Sequence, residues 1–367
     1  MKHILISTGL YPPEIGGPAT YTKLLEDELP KRGFKVSVLP FSTVRHLPKI
    51  VRHIAYFFKV LRSGKDVDLI YAQDPVSVGL PSIIASKILG KNFFIRIAGD
   101  YAWEQFQQST DDERNVSIEE FQYQKFDFVT ELKKKIERWV AKKSDKIIVP
   151  SKYFKKIIEK WGVDSEKINV IYNGIYLSTE GLERGENKKE KIMISVGRLV
   201  PWKGFKELIE MMPYILESVP EVKLHIIGNG PQRAELEKVI RDLNLSKKVL
   251  LLGKISRREL LMRKRLSDIF IFNTHWESFS FDTVESMSLG LPVITTNIGP
   301  LPELIENDKD GVLVEPDNKE QIKNAIVKVL QNDNFRLSII KNARKKSKKF
   351  SIQNTVNELE KLLNAEL

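Results

Sequence analysis

Short apolar runs rich in β-branched residues recur along this chain, each followed by a stretch of helical periodicity, and the series starts afresh near residue 190. That alternation is the pattern of parallel sheets joined by crossover helices. In the first half, residues 4–8, 35–40, 69–72, 92–97 and 146–149 read as buried strands. Helical patterns at 21–32 and 78–89 stop at Gly33 and Gly90, the residue type that most often closes a helix. The second series comprises 191–196, 223–227, 249–252, 269–273, 292–296 and a short 312–314. The expectation is an α/β chain of two doubly wound domains facing across a cleft. They occupy residues 1–177 and 191–345, with a polar, glycine-bearing linker at 178–190. A C-terminal helix within 346–367 is expected to pack back on the first domain. Open sheets of this kind bind ligands beyond the carboxyl ends of their strands, so the loops there carry the search for function.

Composition narrows the classes. With 367 residues, 42% of them hydrophobic, the chain can bury two separate cores. No run of about 18 apolar residues free of charge suggests a transmembrane helix. The opening Met1-Lys2-His3-Ile4-Leu5-Ile6-Ser7 turns polar too soon for a signal peptide and reads as a first strand. The absence of cysteine excludes disulfides and thiolate zinc sites and fits a reducing cytoplasm. Five histidines without a His-x-x-x-His pair make a metal site unexpected. A net charge of +11 favours anionic partners, either phosphorylated substrates or acidic lipid headgroups. Nucleic acid is not expected, because no recognised nucleic-acid-binding signature accompanies the charge. No heptad run speaks to oligomeric state.

Chemistry concentrates in the second half. Glu277 and Glu285 stand eight positions apart at a strand-to-helix junction. A fully helical spacer would set the carboxylates about two turns, roughly 12 Å, apart on one face. That span suits anchors at the two ends of a nucleotide-sugar. Upstream lie Arg198 and Lys203, between Gly197 and Gly204. A guanidinium fork and a movable ammonium together can offset the charge gathering on a departing nucleoside diphosphate without a metal ion. The bland alternative is a solvated pair after a strand. The loop is no P-loop, since the glycine and Lys-Ser/Thr spacing is missing. The stretch 279–283, including Phe279, Ser280 and Phe281, is expected to open the helix bearing Glu285, where amides and dipole favour a phosphate. Gly228-Asn229-Gly230-Pro231 follows a strand and reads either as a structural turn or as a border of the nucleotide.

The first half offers weaker candidates. Gly16 and Gly17, between the first strand and first helix, let backbone approach a phosphate or sugar, or simply make a tight turn. Asp66-Val67-Asp68 imitates a metal-binding Asp-x-Asp, but it precedes a strand, so no metal is expected there. Residues 43–62 interleave cations with aromatics. They form either a helix lying on an anionic membrane or one that packs Ile54, Phe57, Phe58 and Leu61 into the core. The charged stretch 109–127 reads as an acceptor-side insertion or a mobile surface excursion.

In order and register, Val196-Gly197-Arg198, Lys203-Gly204, Ile227-Gly228-Asn229-Gly230-Pro231, Leu252-Gly253, the Glu277/Glu285 pair, Gly290-Leu291-Pro292-Val293-Ile294, Gly299-Pro300-Leu301-Pro302-Glu303 and Gly311 resemble one family. It is the retaining glycosyltransferases of family four, glycosyltransferase group 1, whose fold of two Rossmann-like domains is called GT-B. The resemblance implies that Arg198 and Lys203 hold the donor diphosphate, that Glu285 binds the ribose and that Glu277 lies near the transferred sugar. It also implies that Lys254 and Ile255 sit where the base is read, and that Gly16 and Gly17 face the cleft. Many relatives have Gly-Phe-Gly where this chain has Ser278-Phe279-Ser280. Many also carry a histidine near Asp100, and another where Gln73 stands. Asp100 is therefore the substitute candidate for a sugar contact or general base, with a plain turn aspartate as the alternative.

The activity implied is metal-independent transfer, with retention, of a hexose from a nucleoside-diphosphate sugar. The acceptor would be a glycan or polyprenyl-linked sugar in cell-envelope polysaccharide or glycoconjugate synthesis. No cofactor beyond the donor is expected, and the place would be the cytoplasm, peripheral to the inner face of the membrane. Alternatives on the same fold are a nucleotide-sugar epimerase or hydrolase, or a non-catalytic sugar-nucleotide-binding protein. A dehydrogenase is disfavoured, because Pro12-Pro13-Glu14-Ile15-Gly16-Gly17 lacks the dinucleotide glycine fingerprint.

Overall fold

A computed structural model of the chain describes residues 1–14, 16–109, 116–177 and 190–367. The linker read at 178–190 lies outside these residues apart from Glu190, and so does 110–115 of the segment 109–127. The chain divides into two compact units, Met1–Asn173 with Ile352–Leu367, and Gly174–Ser351.

The first unit runs β1 (His3–Thr8), α1 (Gly17–Glu28), β2 (Lys35–Pro40), α2 (Lys49–Ser63), β3 (Leu69–Ala72), α3 (Leu80–Leu89) and β4 (Asn92–Arg96). It continues with α4 (Tyr101–Ser109), α5 (Ile118–Phe121), α6 (Phe128–Lys143), β5 (Lys146–Val149), α7 (Lys152–Glu159) and β6 (Ile168–Val170). Its six strands are parallel, in the order β2-β1-β3-β4-β5-β6. The first helix differs from the sequence expectation of 21–32. It starts at Gly17, ends at Glu28, and a 3-10 turn at Pro30–Arg32 follows. Pro30 has no amide hydrogen to continue the helical ladder. Gly33 then closes the turn in the left-handed region, at φ 85°. Strand β6 has only three residues and no alternation, and was not legible beforehand.

The second unit runs β7 (Lys191–Val196), α8 (Phe205–Glu210), α9 (Met212–Ser218), β8 (Val222–Ile227), α10 (Arg233–Asp242), β9 (Val249–Gly253) and α11 (Arg257–Leu266). Next come β10 (Ile269–Phe272), α12 (Phe281–Leu289), β11 (Val293–Thr296), α13 (Leu301–Leu304), β12 (Val312–Val314), α14 (Lys319–Gln331) and α15 (Asp333–Ser347). The sheet order is β12-β11-β10-β7-β8-β9, again all parallel. Both units are thus Rossmann-like, the fold class expected. Each order reverses direction at one gap, between β1 and β3 in the first unit and between β7 and β10 in the second. Ligands of open α/β sheets bind at such reversals.

The last helix, α16 (Ile352–Glu366), belongs to the first unit. Ile352, Val356, Leu359 and Leu363, at helical spacing, enter the core formed by Ile4, Ile6, Tyr21, Leu25 and Phe94. The return to the first unit therefore begins at Ile352. The basic stretch 344–349 stays in the second unit, where Lys346 pairs with Asp310 at 3.2 Å. Met193, Leu208, Leu224, Ile271 and Ile294 anchor that unit's own core.

Candidate active site

In the second unit, the loop leaving β7 carries both cations. Arg198 is exposed, while Leu199 and Val200 after it are buried and hold the loop down. A 3-10 turn, Pro201–Lys203, ends at Gly204 with φ 62°. A Cβ on Gly204 would lie 1.8 Å from the Asn273 carbonyl, so glycine is required for this loop to close on the end of β10. The two loops are then stitched together. The Trp202 carbonyl accepts from the His275 amide at 2.8 Å and from the Thr274 hydroxyl at 3.0 Å.

This stitching sets Lys203 against Glu277 as an ion pair, both side chains being largely buried. The Lys203 ammonium also lies 5.1 Å from the centre of the Phe272 ring. Burial raises the Glu277 carboxyl above its ordinary range, and Lys203 counters that shift. Gly228 and Gly230 border the same loop. Cβ atoms there would lie 1.8 Å from the Gly197 carbonyl and 2.3 Å from that of Leu199. Both glycines therefore serve close packing of this turn on the Arg198 loop.

Helix α12 begins at Phe281, two residues later than read from sequence, because Ser280 is its cap and accepts from the Thr283 amide at 3.3 Å. The spacer between Glu277 and Glu285 is accordingly not one continuous helix. Phe279 is buried, edge-on to Phe281 at 5.5 Å and to Phe350 at 6.1 Å, so its ring is core rather than ligand surface. Ser278 is half-buried before it.

Glu285 is 3% exposed. Its Oε2 accepts from Arg257 Nη1 at 2.6 Å and lies 3.4 Å from the Lys264 ammonium. Its Oε1 is buried with no hydrogen-bond partner among the described residues. An orphaned carboxylate oxygen costs about 1–3 kcal/mol in desolvation, which a ligand hydroxyl can offset. Lys264, wholly buried, also binds Asp282 at 2.7 Å and so fixes the first turn of α12. Arg257 and Lys264 were missed in the sequence. Their spacing of seven puts them on one face of α11, but nothing local says that this face meets α12. Lys254 is exposed and Ile255 half-buried just before α11, whose cap is Ser256.

In the first unit, Gly16 is half-buried and Gly17 exposed at the start of α1. The loop before them is held by Arg45, which pairs with Glu14 and donates to the Gly9 carbonyl at 2.7 Å. Asp100, read as a substitute sugar contact, is instead enclosed at 1% exposure. It accepts from the Trp103 amide and from the Gln122 side chain, each at 2.9 Å. Glu137 beside it accepts from the Tyr101 and Ala102 amides at 2.8 and 3.1 Å. Both carboxylates are thus committed to the amino end of α4, where exposed amides and the dipole favour negative charge. Burial raises both carboxyl groups, and the charge of Asp100 lifts Glu137 further.

Of the Asp66/Asp68 pair, Asp68 stands at the entrance of β3 and accepts from the His3 amide at 2.7 Å. Among the described residues, one possible metal-ligand group comes together, Glu207, His275 and Asp317, with donor atoms within 4.8 Å of one another. Asp317 is already engaged by His275 at 3.1 Å and by Asn273 at 2.7 Å.

Two Rossmann-like units, one bearing cations and carboxylates at its sheet reversal, make up the GT-B fold. The model for glycosyl transferases group 1 matches residues 182–346, and that for glycosyltransferase family 4 matches residues 15–179. The chain belongs to this retaining glycosyltransferase family. An Escherichia coli UDP-Gal:alpha-D-GlcNAc-diphosphoundecaprenol alpha-1,3-galactosyltransferase is 28% identical over 82% of this chain and 75% of its own length. An uncharacterized glycosyltransferase of Methanocaldococcus jannaschii is 33% identical over 59% of this chain. The chain spans only 58% of that relative's length. Among solved structures, sucrose-phosphate synthase from Thermosynechococcus elongatus superposes with a TM-score of 0.80 at 18% identity, covering 100% of this chain and 99% of that one. Anabaena HepE in complex with UDP-glucose gives 0.76 at 20% identity over 100% of both chains.

Proposed function

We propose that this enzyme transfers a hexose from a uridine diphosphate sugar to a polyprenyl-diphosphate-linked glycan. The observation that carries the reading is the buried Oε1 of Glu285, without a hydrogen-bond partner among the described residues, on the helix that follows the loop where Glu277 pairs with Lys203. A ribose diol supplies the donor that Oε1 lacks. The UDP-galactose of the Escherichia coli relative and the UDP-glucose in HepE support uridine as the base. The diphosphoundecaprenol acceptor of the former supports the lipid carrier.

In this reading Arg198 and Lys203 bind the diphosphate. As the bond from the anomeric carbon to the leaving phosphate oxygen breaks, they offset the charge gathering there. The acceptor hydroxyl attacks the same face and passes its proton to that phosphate oxygen, so configuration is retained. Glu277, set against Lys203, accepts from sugar hydroxyls and stabilises positive charge at the anomeric carbon. Neither Asp100 nor Glu137 takes part.

Titration calorimetry of UDP, GDP, ADP and NAD in chelator tests this. Selective UDP binding, lost in Lys203→Ala, is expected. Binding of NAD alone would overturn the reading.

A further inference from the structure

The first unit buries one full positive charge without a counter-charge. Arg96, at the end of β4, donates through Nη2 to Asn173 at 2.7 Å, and its Nη1 has no hydrogen-bond partner among the described residues. No carboxylate among those residues pairs with it, and the titratable groups that act on it are the hydroxyls of Tyr21 and Tyr71. Burial raises both phenols, so both stay neutral. A guanidinium does not shed its proton to escape burial, and an unpaired buried charge costs several kcal/mol.

The polar groups around Arg96 share one side of the sheet. Tyr71 on β3 lies beside Phe94 on β4, so Gln73 and Arg96, two positions further on, point to the same face. The Gln73 amide extends the ladder by donating to the Ser7 carbonyl at 2.9 Å. Helix α1 covers this face. The Arg96 guanidinium lies 4.0 Å from the centre of the Tyr21 ring, and Tyr21, Tyr71 and Phe94 belong to one core. Tyr21, Gln73 and Arg96 all act on the Tyr71 hydroxyl, which places the four polar ends together. The two hydroxyls and both side-chain amide atoms of Gln73 have no hydrogen-bond partner among the described residues. These four side chains are each at most 3% exposed. A sugar or a lipid-linked diphosphate cannot enter so closed a group. Water would satisfy the donors but leave the charge, whereas a monoatomic anion does both.

We propose that this group is an internal halide site, with chloride as the ordinary occupant. The anion accepts from Arg96 Nη1, the Tyr71 hydroxyl and Gln73 Nε2, and neutralises the guanidinium. The same guanidinium holds Asn173, the last residue of the first unit before the chain passes to the second. A bound halide therefore braces the point at which the chain leaves that unit. The site takes no part in the proposed transfer, and neither reading depends on the other.

Thermal melts of the full chain test this at constant ionic strength, with sodium gluconate replaced stepwise by sodium chloride or bromide. Either halide should raise the midpoint by about 2–4 °C in a saturable manner. Tyr71→Phe should raise the half-saturating concentration by about fivefold, the weight of one hydrogen bond. Arg96→Met should abolish the response. Crystals soaked in bromide and measured at the bromine absorption edge should show a peak within hydrogen-bond distance of Arg96 Nη1. Water there in place of a peak would overturn the proposal. So would a peak with no effect of halide on the midpoint, which is an adventitious ion only, or a response that persists in Arg96→Met. The bromide measurement on the unaltered chain stands even if neither variant folds.

Discussion

The two sheet reversals make opposite use of charge. In the second unit, the gap between β7 and β10 gathers a paired cation and carboxylate, Lys203 with Glu277, and a second carboxylate, Glu285, held by Arg257 and Lys264. In the first unit, Asp74 at the β1–β3 reversal is spent on the Ser77 and Val78 amides, and beside it the carboxyl ends of β3 and β4 hold a buried guanidinium. Arg96 is 2% exposed, stacks 4.0 Å from the Tyr21 ring and donates to Asn173 at 2.7 Å. Its Nη1, the Tyr71 hydroxyl and the Gln73 amide have no hydrogen-bond partner among the described residues. The nearby carboxylates Asp100 and Glu137 are committed to helix α4. The same topology therefore builds a preorganised electrolyte in one unit and a buried, mostly neutral polar cluster in the other. Preorganised charge is what a leaving diphosphate requires.

The sharpest way to break this contrast is to remove the cations. Lys203→Ala or Arg198→Ala should lower turnover by roughly a hundredfold or more with the thermal midpoint kept. Unaltered rates in either variant would end its role. Next in size is Lys264→Met. It strips a fully buried ammonium from Asp282 and Glu285 and should cost about 3 kcal/mol or more in denaturant titration. A loss below about 0.5 kcal/mol would mean that Arg257 alone suffices. Glu285→Ala should weaken UDP binding by about tenfold to a hundredfold in calorimetry. Equal affinities would show that Oε1 never meets the ribose.

Asp100→Asn tests the other side of the comparison. It weakens the cap of α4, for an expected loss of about 1 kcal/mol, and leaves turnover intact. Collapse of turnover with a sound fold would make the first unit's carboxylate chemical after all. The smallest effect concerns His275, whose hydrogen bond to Asp317 lifts its pKa above the ordinary 6.5. A raised folded pKa means stability that is fully present below about 6.5 and lost as pH rises through the folded value. Because the pair is partly exposed, the slope should amount to about a few tenths of a kcal/mol. His275→Gln should flatten it, as followed by thermal melts across that range.

Much of the frame was legible in the residues. The strands of both series, Gly33, Gly90 and the Arg198–Lys203 and Glu277–Glu285 groupings all rest on local patterns of hydrophobicity, glycine and charge. Asp100 misled because an aspartate after a strand looks the same whether it faces a ligand or caps the next helix. Its commitment depends on Gln122, 22 residues further on. Helix α2 could be read as amphipathic, but only the structure shows Tyr56 and Val60 turned to the core while Ile50, Ile54 and Phe58 stay exposed.

The sequence by itself determined the periodicities, and through them the two parallel sheets and the class of chemistry. Those signals act within one turn or one strand, so no knowledge of neighbours is needed to read them. Only the tertiary structure decided which charges meet. Lys203 reaches Glu277 across 74 positions because β7 pairs with β10, and Lys264 reaches Glu285 because α11 lies against α12. Strand order and helix packing are set by how two whole apolar cores close. A contact that depends on that closure has no counterpart in the residues on either side of it.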